Sequence, residues 1–451
     1  MKLNLHEIAQ VVGAKNDISQ FEDVSINSIE FDSRLIKEGD LFLPLKGNRD
    51  GHDFIPIAFQ NGALVTFSEK KVDYPHILVS NTLHAFQELA KYYLEKMAVS
   101  VIAVTGSNGK TTTKDMIATI LESTYKTYKT QGNYNNDIGL PYTILHMPDA
   151  TEKLVLEMGQ DHLGDIHLLS QIAQPDISIV TLIGEAHLAF FGSSAKIAEG
   201  KLQIVDGMKD NGLLIVPDDP LIKPFLPNNQ EIIFFGEDTP LSIHNLKEHK
   251  NYLTFNLDFL EGDIYLPVTG KYNATNAMLA AYVATRLGVS QDNIKSGLKN
   301  LVLTKNRTQW KKAKNGADIL SDIYNANPTA MRLILETFSS LPKQKNGKKI
   351  AVLADMKELG EASKKFHESI ITSLNPNQID IVYFYGDEIY PLYQLAQEKF
   401  TKEKLAFFKK NSTVDEISSL IKNIQEILKT QDQILFKGSN SMNLEKIVDS
   451  I

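Results

Sequence analysis

Apolar and polar positions follow two rhythms along this chain. Leu83, Phe86, Leu89, Ala90, Tyr93 and Leu94 recur at intervals of three and four, which predicts an amphipathic helix over 83–97. Beyond it, short apolar runs at 101–104, 153–157, 177–183 and 213–216 are separated by helical stretches. Strands apolar on both faces that alternate with helices predict a parallel sheet covered on both sides. A hairpin-like excursion is expected over 253–266. A helix over 273–287 carries Ala274, Ala277, Ala280 and Ala281, small enough for close packing. After Asn315 a second alternating series begins, with strands expected at 319–323, 349–354, 379–385, 405–408 and 433–436.

Before residue 98 the rhythm is mixed, with apolar runs at 40–45 and 76–79 set among Gly and Asp turns, as in a small α/β unit. The expected division is therefore 1–98, 99–312 and 313–451. A chain of 451 residues fits about three domains at ~100–200 residues each. The last series has the pattern of a Rossmann-like sheet but lacks Gly-x-Gly-x-x-Gly, so no dinucleotide site is expected there.

Composition narrows the ligands. A net charge of -8 without a run of clustered Lys or Arg argues against nucleic acid as a partner. Cysteine is absent, which removes disulfides, thiolate metal sites and a cysteine nucleophile. No window approaches the ~20 apolar residues of a membrane span, and the first residues lack the apolar core of a signal peptide. The expectation is a cytoplasmic, soluble, monomeric protein with no membrane insertion.

The chemistry starts at Thr105-Gly106-Ser107-Asn108-Gly109-Lys110-Thr111-Thr112, between the run 101–104 and a helix-like stretch over 113–123. A glycine-rich turn joining a buried strand to a helix N-terminus wraps phosphate oxygens with backbone N–H groups. Lys110 supplies a cation for the β and γ phosphates, and Thr111 a hydroxyl for Mg²⁺. The spacing Gly-x-x-Gly-Lys-Thr is two residues shorter than the usual Gly-x4-Gly-Lys-Ser/Thr. The fold class that follows is α/β in three domains: a small N-terminal α/β unit, a central P-loop unit with a parallel sheet, and a C-terminal Rossmann-like unit.

Other residues sit beyond expected strand ends, where open α/β sheets bind ligands. Glu157 closes its strand and is either an edge carboxylate or a ligand for Mg²⁺ beside the phosphates. His187, just past the run 177–183, is a structural imidazole or the ligand of a second ion. Lys201 is read early in an amphipathic helix. It is either solvated, or buried with a lowered pKa so that its neutral amine takes up CO₂ as a carbamate. Arg307 falls at the junction of the second and third units, a surface charge or a planar fork brought to the terminal phosphate on closure. Asp322 is a turn carboxylate or an acceptor for ribose hydroxyls. Carboxamides concentrate at Asn133, Asn135 and Asn136 and again at Asn325 and Asn327, suiting turns or the recognition of peptide groups.

Taken with Gly132-Asn-Tyr-Asn-Asn-Asp-Ile-Gly-Leu-Pro141, Glu157-Met-Gly159, Glu185-Ala-His-Leu188, Gly270-Lys-Tyr-Asn-Ala-Thr-Asn276 and Tyr324-Asn-Ala-Asn-Pro328, the loop resembles that of the Mur ligase family. Phe31-Asp-Ser-Arg34, Gly39-Asp-Leu-Phe42, Arg49-Asp-Gly-His52, the stretch 352–360 and Lys437-Gly-Ser439 extend the likeness over essentially the whole length. The resemblance implies an ATP-dependent ligase that joins D-alanyl-D-alanine to UDP-N-acetylmuramoyl-tripeptide through an acyl phosphate. It implies ATP held by Gly106–Thr112, Asn273, Asn276, Arg307 and Asp322. Mg²⁺, as two ions, would be served by Thr111, Glu157, His187 and a carbamylated Lys201. Catalysis would rest on Lys110, His187, Lys201 and Arg307. Ser33, Arg34, Lys46, Gly47, Arg49, Asp50, Gly51 and His52 would line the UDP-sugar side. Three positions depart from the family's common pattern: Tyr272 stands where His is frequent, Gln203 where Glu is, and Asn440 where Arg is. The readings left open beside it are another amino-acid-adding ligase of the superfamily, and a nucleotide switch without ligation.

Overall fold

The computed structural model describes residues 3–19, 24–302, 304–410 and 416–451. Three parallel or mostly parallel sheets follow one another along the chain. The first has four parallel strands, Ile29–Glu30, Asp40–Phe42, Ala63–Ser68 and His76–Leu78, in chain order. The helix Thr82–Met97 leaves it. Asn81 caps that helix by accepting from His84 N at 2.8 Å, and Ala98 ends it in a left-handed conformation (φ 50°).

The central sheet has six parallel strands, ordered Glu231–Phe235, Leu213–Pro217, Ile177–Val180, Ser100–Thr105, Lys153–Glu157 and Thr127–Lys129. Ser100–Thr105 lies between Ile177–Val180 and Lys153–Glu157, so the chain order reverses at its carboxyl end and opens a crevice there. The strand expected over 177–183 stops at Val180, and the residues after it form the loop that carries His187. On one face, the helices Lys110–Leu121 and Tyr272–Arg286 pack on Ile102, Val104, Val155 and Ile215, with Ala274, Ala277, Ala280 and Ala281 all buried. The excursion over 253–266 is a hairpin, Leu253–Leu257 with Leu260–Leu266, extended by His244–Glu248 into a three-stranded antiparallel sheet.

The other face shares its core with the N-terminal unit. Phe86, Leu89, Ala90 and Tyr93 of the long helix join Leu43, Val65 and Phe67 on one side and Val101, Leu140, Leu156 and Val216 on the other. The third sheet runs Gln309–Lys312, Asp318–Asp322, Gln433–Lys437, Lys349–Ala354, Ile381–Tyr385 and Leu405–Phe408, parallel except for the first strand. Gln309–Lys312, given by the sequence reading to a central unit ending at 312, pairs with Asp318–Asp322 and so belongs to this sheet.

Because one apolar cluster spans two sheets, truncating its centre should weaken both. Phe86→Ala is expected to lower stability by about 3–5 kcal/mol, as for other fully buried phenylalanines. Urea unfolding measures it; a loss under about 1 kcal/mol would show that the shared cluster contributes little.

Candidate active site

The strand Ser100–Thr105 delivers the glycine loop to the crevice, and the helix Lys110–Leu121 begins directly behind it. Gly106 has φ 145°, and a Cβ there would lie 2.0 Å from Thr181 Oγ1. Gly109 has φ 85°, and a Cβ would lie 2.6 Å from Asn276 Oδ1. Neither position admits a side chain, so the loop backbone is seated between a neighbouring strand end and the helix Tyr272–Arg286. Lys110 Nζ donates back to Gly106 O at 2.8 Å. Burial lowers the Lys110 pKa; the nearby Glu157 carboxylate opposes that shift and Arg307 adds to it.

A cleft of about 690 Å³ opens beside the loop. It is lined from the central unit by Ser107–Thr112, Asn133, Asn135, Asn136, Glu157, Asp161, His187 and Asn276, and from the third unit by Arg307, Asp322, Tyr324, Asn325, Glu358, Lys437 and Asn440. Glu157 is 3% exposed. Its Oε1 accepts from Asn135 Nδ2 at 2.8 Å, while its buried Oε2 has no hydrogen-bond partner and lies 4.0 Å from Lys114 Nζ. Arg307 Nη2 donates to Thr111 Oγ1 at 2.9 Å, its guanidinium lies 4.1 Å over the Tyr324 ring, and its buried Nε is unpartnered. A buried acceptor and a buried donor without partners face one cleft, the arrangement that calls for a ligand.

His187 takes φ 61° and brings Nδ1 to 3.0 Å from Glu358 Oε2 and 3.2 Å from Asp161 Oδ1. Neither carboxylate is hydrogen-bonded to Nδ1, and each contact is an ion pair only when the imidazole is protonated. His187 in turn holds the Glu358 carboxyl below its ordinary pKa. Lys201 lies in the last turn of Ser194–Leu202, not early in its helix, and is 1% exposed, which rules out the solvated alternative. Burial drives its pKa well down, with Lys110 adding to the shift, and it has no hydrogen-bond or ion-pair partner among the described residues.

Several expected ligand contacts are used internally. Asn273 is buried, donates to Thr269 O at 2.7 Å and accepts from Asn276 at 3.2 Å, so it fixes the helix behind the loop instead of facing the cleft. Asn327 caps the helix Pro328–Ser340 and exchanges amide hydrogen bonds with Asn108 at 2.9 and 3.3 Å. It ties the third unit to the phosphate loop. Both oxygens of Asp322 accept, from Thr308 N at 3.1 Å and Lys437 Nζ at 2.6 Å.

None of the eight N-terminal positions lines this cleft. His52 is buried, with Nδ1 bonded to Asp50 at 2.6 Å and Nε2 accepting from Glu69 N at 3.1 Å, so both ring nitrogens are occupied and it holds its loop in place. Lys46 pairs with Glu69, and Arg34 folds onto Asp32 at 2.6 Å. Ser33, Gly47, Arg49 and Gly51 belong to the same two loops.

Four residues outside the sequence reading's site also matter. Lys114, one helical turn after Lys110, is buried and donates to Thr130 O at 2.9 Å beside Glu157. Its i, i+4 spacing from Lys110 was the available signal. Lys437, Asp161 and Glu358 reach the cleft from strand ends and loops; Lys437 and Glu358 fall in segments that carry the family likeness, whereas nothing in its local sequence marks Asp161.

Three family models match successive parts of the chain: the Mur ligase family catalytic domain over residues 25–105, the Mur ligase middle domain over 104–284, and the Mur ligase glutamate ligase domain over 306–440. The UDP-N-acetylmuramoyl-tripeptide–D-alanyl-D-alanine ligase of Bacillus subtilis (strain 168) is 37% identical over 458 aligned residues, covering 100% of this chain and 98% of that protein. The crystal structure of MurF from Acinetobacter baumannii matches with a TM-score of 0.89 at 30% identity, over 100% of this chain and 98% of that one. MurF ligase from Thermotoga maritima in complex with ADP matches at 0.83 and 31% identity, over 94% and 96%. With likeness of this depth across its whole length, the chain belongs to the Mur ligase family.

Proposed function

We infer that the chain is an ATP-dependent amide ligase that joins D-alanyl-D-alanine to the terminal carboxylate of UDP-N-acetylmuramoyl-tripeptide, making the pentapeptide precursor of peptidoglycan. One observation carries the chemistry. A phosphate-type loop, a buried carboxylate oxygen without a partner and an arginine from another domain meet in one cleft. The full-length relatives supply the substrate class.

A free carboxylate is a poor acylating agent, so activation comes first. A carboxylate oxygen of the tripeptide attacks the γ-phosphorus of ATP, the bond to the bridging oxygen breaks, and ADP leaves. Lys110 and Arg307 meet the charge spreading over the transferring phosphoryl group. The amine of D-alanyl-D-alanine then attacks the acyl carbon, loses a proton, and phosphate departs from the tetrahedral intermediate. Contacts from the third unit close the cleft against water that would hydrolyse the acyl phosphate.

The donor set fits Mg²⁺. Glu157 Oε2 is a hard oxygen lacking a partner, and Thr111 adds a hydroxyl beside the loop. Among the described residues no three His, Cys, Asp or Glu side chains gather into a metal cluster, which suits an ion that takes most of its ligands from phosphate and water. Bound there, Mg²⁺ supplies neutralisation of the triphosphate charge. His187, with Nε2 unengaged, is the proposed ligand for a second ion. Lys201 fits a carbamate: its uncharged amine takes up CO₂, releases a proton and becomes an anion beside Lys110. No helix among the described residues is long and apolar enough to cross a membrane; the proposed use of ATP and a nucleotide-linked substrate supports a cytoplasmic reaction.

Mass spectrometry of products from ATP, Mg²⁺, D-alanyl-D-alanine and a UDP-muramoyl tripeptide ending in lysine or in diaminopimelate tests the reading. The expected product has the combined mass of tripeptide and dipeptide less one water, and ATP turnover without dipeptide incorporation would overturn it. Lys110→Ala should cut turnover at least about 10²-fold, and Arg307→Ala about 10³-fold. A wild-type rate in either variant would remove that residue's role. Lys201→Ala should be inactive, unrestored by bicarbonate and partly rescued by small carboxylic acids. Full activity without rescue would eliminate the carbamate.

A further inference from the structure

We propose that Lys437 is a positioning residue for Arg307, acting through Asp322 on the strained hinge that presents the guanidinium to the cleft. The proposal rests on the reading of Arg307 given above.

The strands Asp318–Asp322 and Gln433–Lys437 run side by side, and their last residues are register partners. Lys437 is 3% exposed and its Nζ donates at 2.6 Å to both Asp322 Oδ2 and Asn325 O. A lysine this deep is held by its partners, and its charge fixes theirs. Asp322 Oδ1 accepts from Thr308 N at 3.1 Å, while Asn306 O accepts from Ile323 N at 3.1 Å and Tyr324 N at 3.3 Å. The segment 306–308 is thus clamped along the end of one strand.

The clamp is needed because the segment is strained. Asn306 has φ 63° and Thr308 φ 45°. A β-branched residue rarely adopts that region, and it persists only where its surroundings over-determine it. Arg307 lies between the two and is oriented twice more, by the Tyr324 ring beneath it and by Thr111 Oγ1. Tyr324 and Asn325 follow Asp322 in one turn, so Lys437 fixes both the hinge and the ring on which Arg307 stacks. Without Lys437, Asp322 is a half-buried carboxylate with no cation, and it turns towards water and releases Thr308.

A misplacement of this kind affects the step Arg307 serves and leaves nucleotide binding alone. Lys437→Met is expected to lower kcat about 10²-fold. The KM for ATP and the Kd for ADP should stay within about threefold of wild type. In an Arg307→Ala background the same change should cost less than about threefold, the coupling expected when one residue works through the other. Asp322→Asn keeps an acceptor for Thr308 but loses the charge, and should cost about tenfold in kcat at saturating ATP; it carries the same cycle if Lys437→Met does not fold. An impaired Arg307→Ala enzyme that loses the full Lys437 factor again would overturn the positioning role. So would an ADP affinity that falls in step with kcat, since Lys437 would then be a nucleotide ligand. An Arg307→Ala enzyme with wild-type turnover would instead remove the reading of Arg307 and this inference with it.

Discussion

Buried positive charge around the glycine loop is the constraint on which the rest of the site depends. Lys110 and Arg307, both half-buried, line the cleft, with Lys201 fully buried near Lys110, and burial weakens the protonated state of both lysines. Glu157 and Asp161 oppose this at Lys110, and Lys114 already lies beside Glu157. Such a cluster is unfavourable by itself and becomes favourable when an anion of high charge enters. A triphosphate supplies that anion, and the seat made by Thr181 and Asn276 fixes where it lies. The loop is therefore preorganised for phosphate, and stability is traded for function at this one point.

The third unit contributes by reaching across. Polar contacts join it to the central unit near the cleft, among them Asn327 with Asn108, Arg307 with Thr111, Glu358 with His187, and both Thr329 and Arg332 with Glu185, the last donating at 2.6 Å. Each is a polar or charged contact, exchangeable for water, unlike the apolar cluster that fuses the N-terminal unit to the central sheet. Domains joined by polar contacts are free to part and dock again. The architecture thus has one joint made by apolar packing and one that includes these polar contacts, and Arg307 sits at the second.

What the sequence made legible follows from range. The loop, four of the six central strands, the long helix and the alanine-rich helix are local patterns of spacing, and they appear close to where the periodicity puts them, while Thr127–Lys129 and Glu231–Phe235 are strands that the pattern does not give. Glu157 and His187 were visible because strand ends at a sheet's carboxyl edge face the same crevice. What stayed hidden depends on partners far away. Asn108 and Asn327 are 219 residues apart, and nothing in either segment says that two amides will satisfy each other instead of a substrate. The resemblance sets His52 on the UDP-sugar side, and only the fold shows that Asp50 and Glu69 N occupy its two ring nitrogens. Lys201 could be weighed as solvated or buried, but only packing decides between them. The strand Gln309–Lys312 was missed because Gln-Trp-Lys-Lys has no apolar run; as the edge strand of its sheet it needs none.

The departure at Tyr272 shows how the hinge absorbs a change of residue. At the position where the resemblance leads to an expectation of His, the phenol bonds Thr308 Oγ1 at 2.7 Å and lines the cleft. Burial, and then the charge of Asp322, push its pKa far above the ordinary range for tyrosine. The group therefore stays a neutral hydroxyl at any pH the protein meets, whereas an imidazole titrates near neutrality. Thr308 is the residue whose backbone is most strained beside Arg307 and whose N–H is held by Asp322. A tie to Thr308 that does not titrate adds no pH dependence of its own to the arginine's presentation.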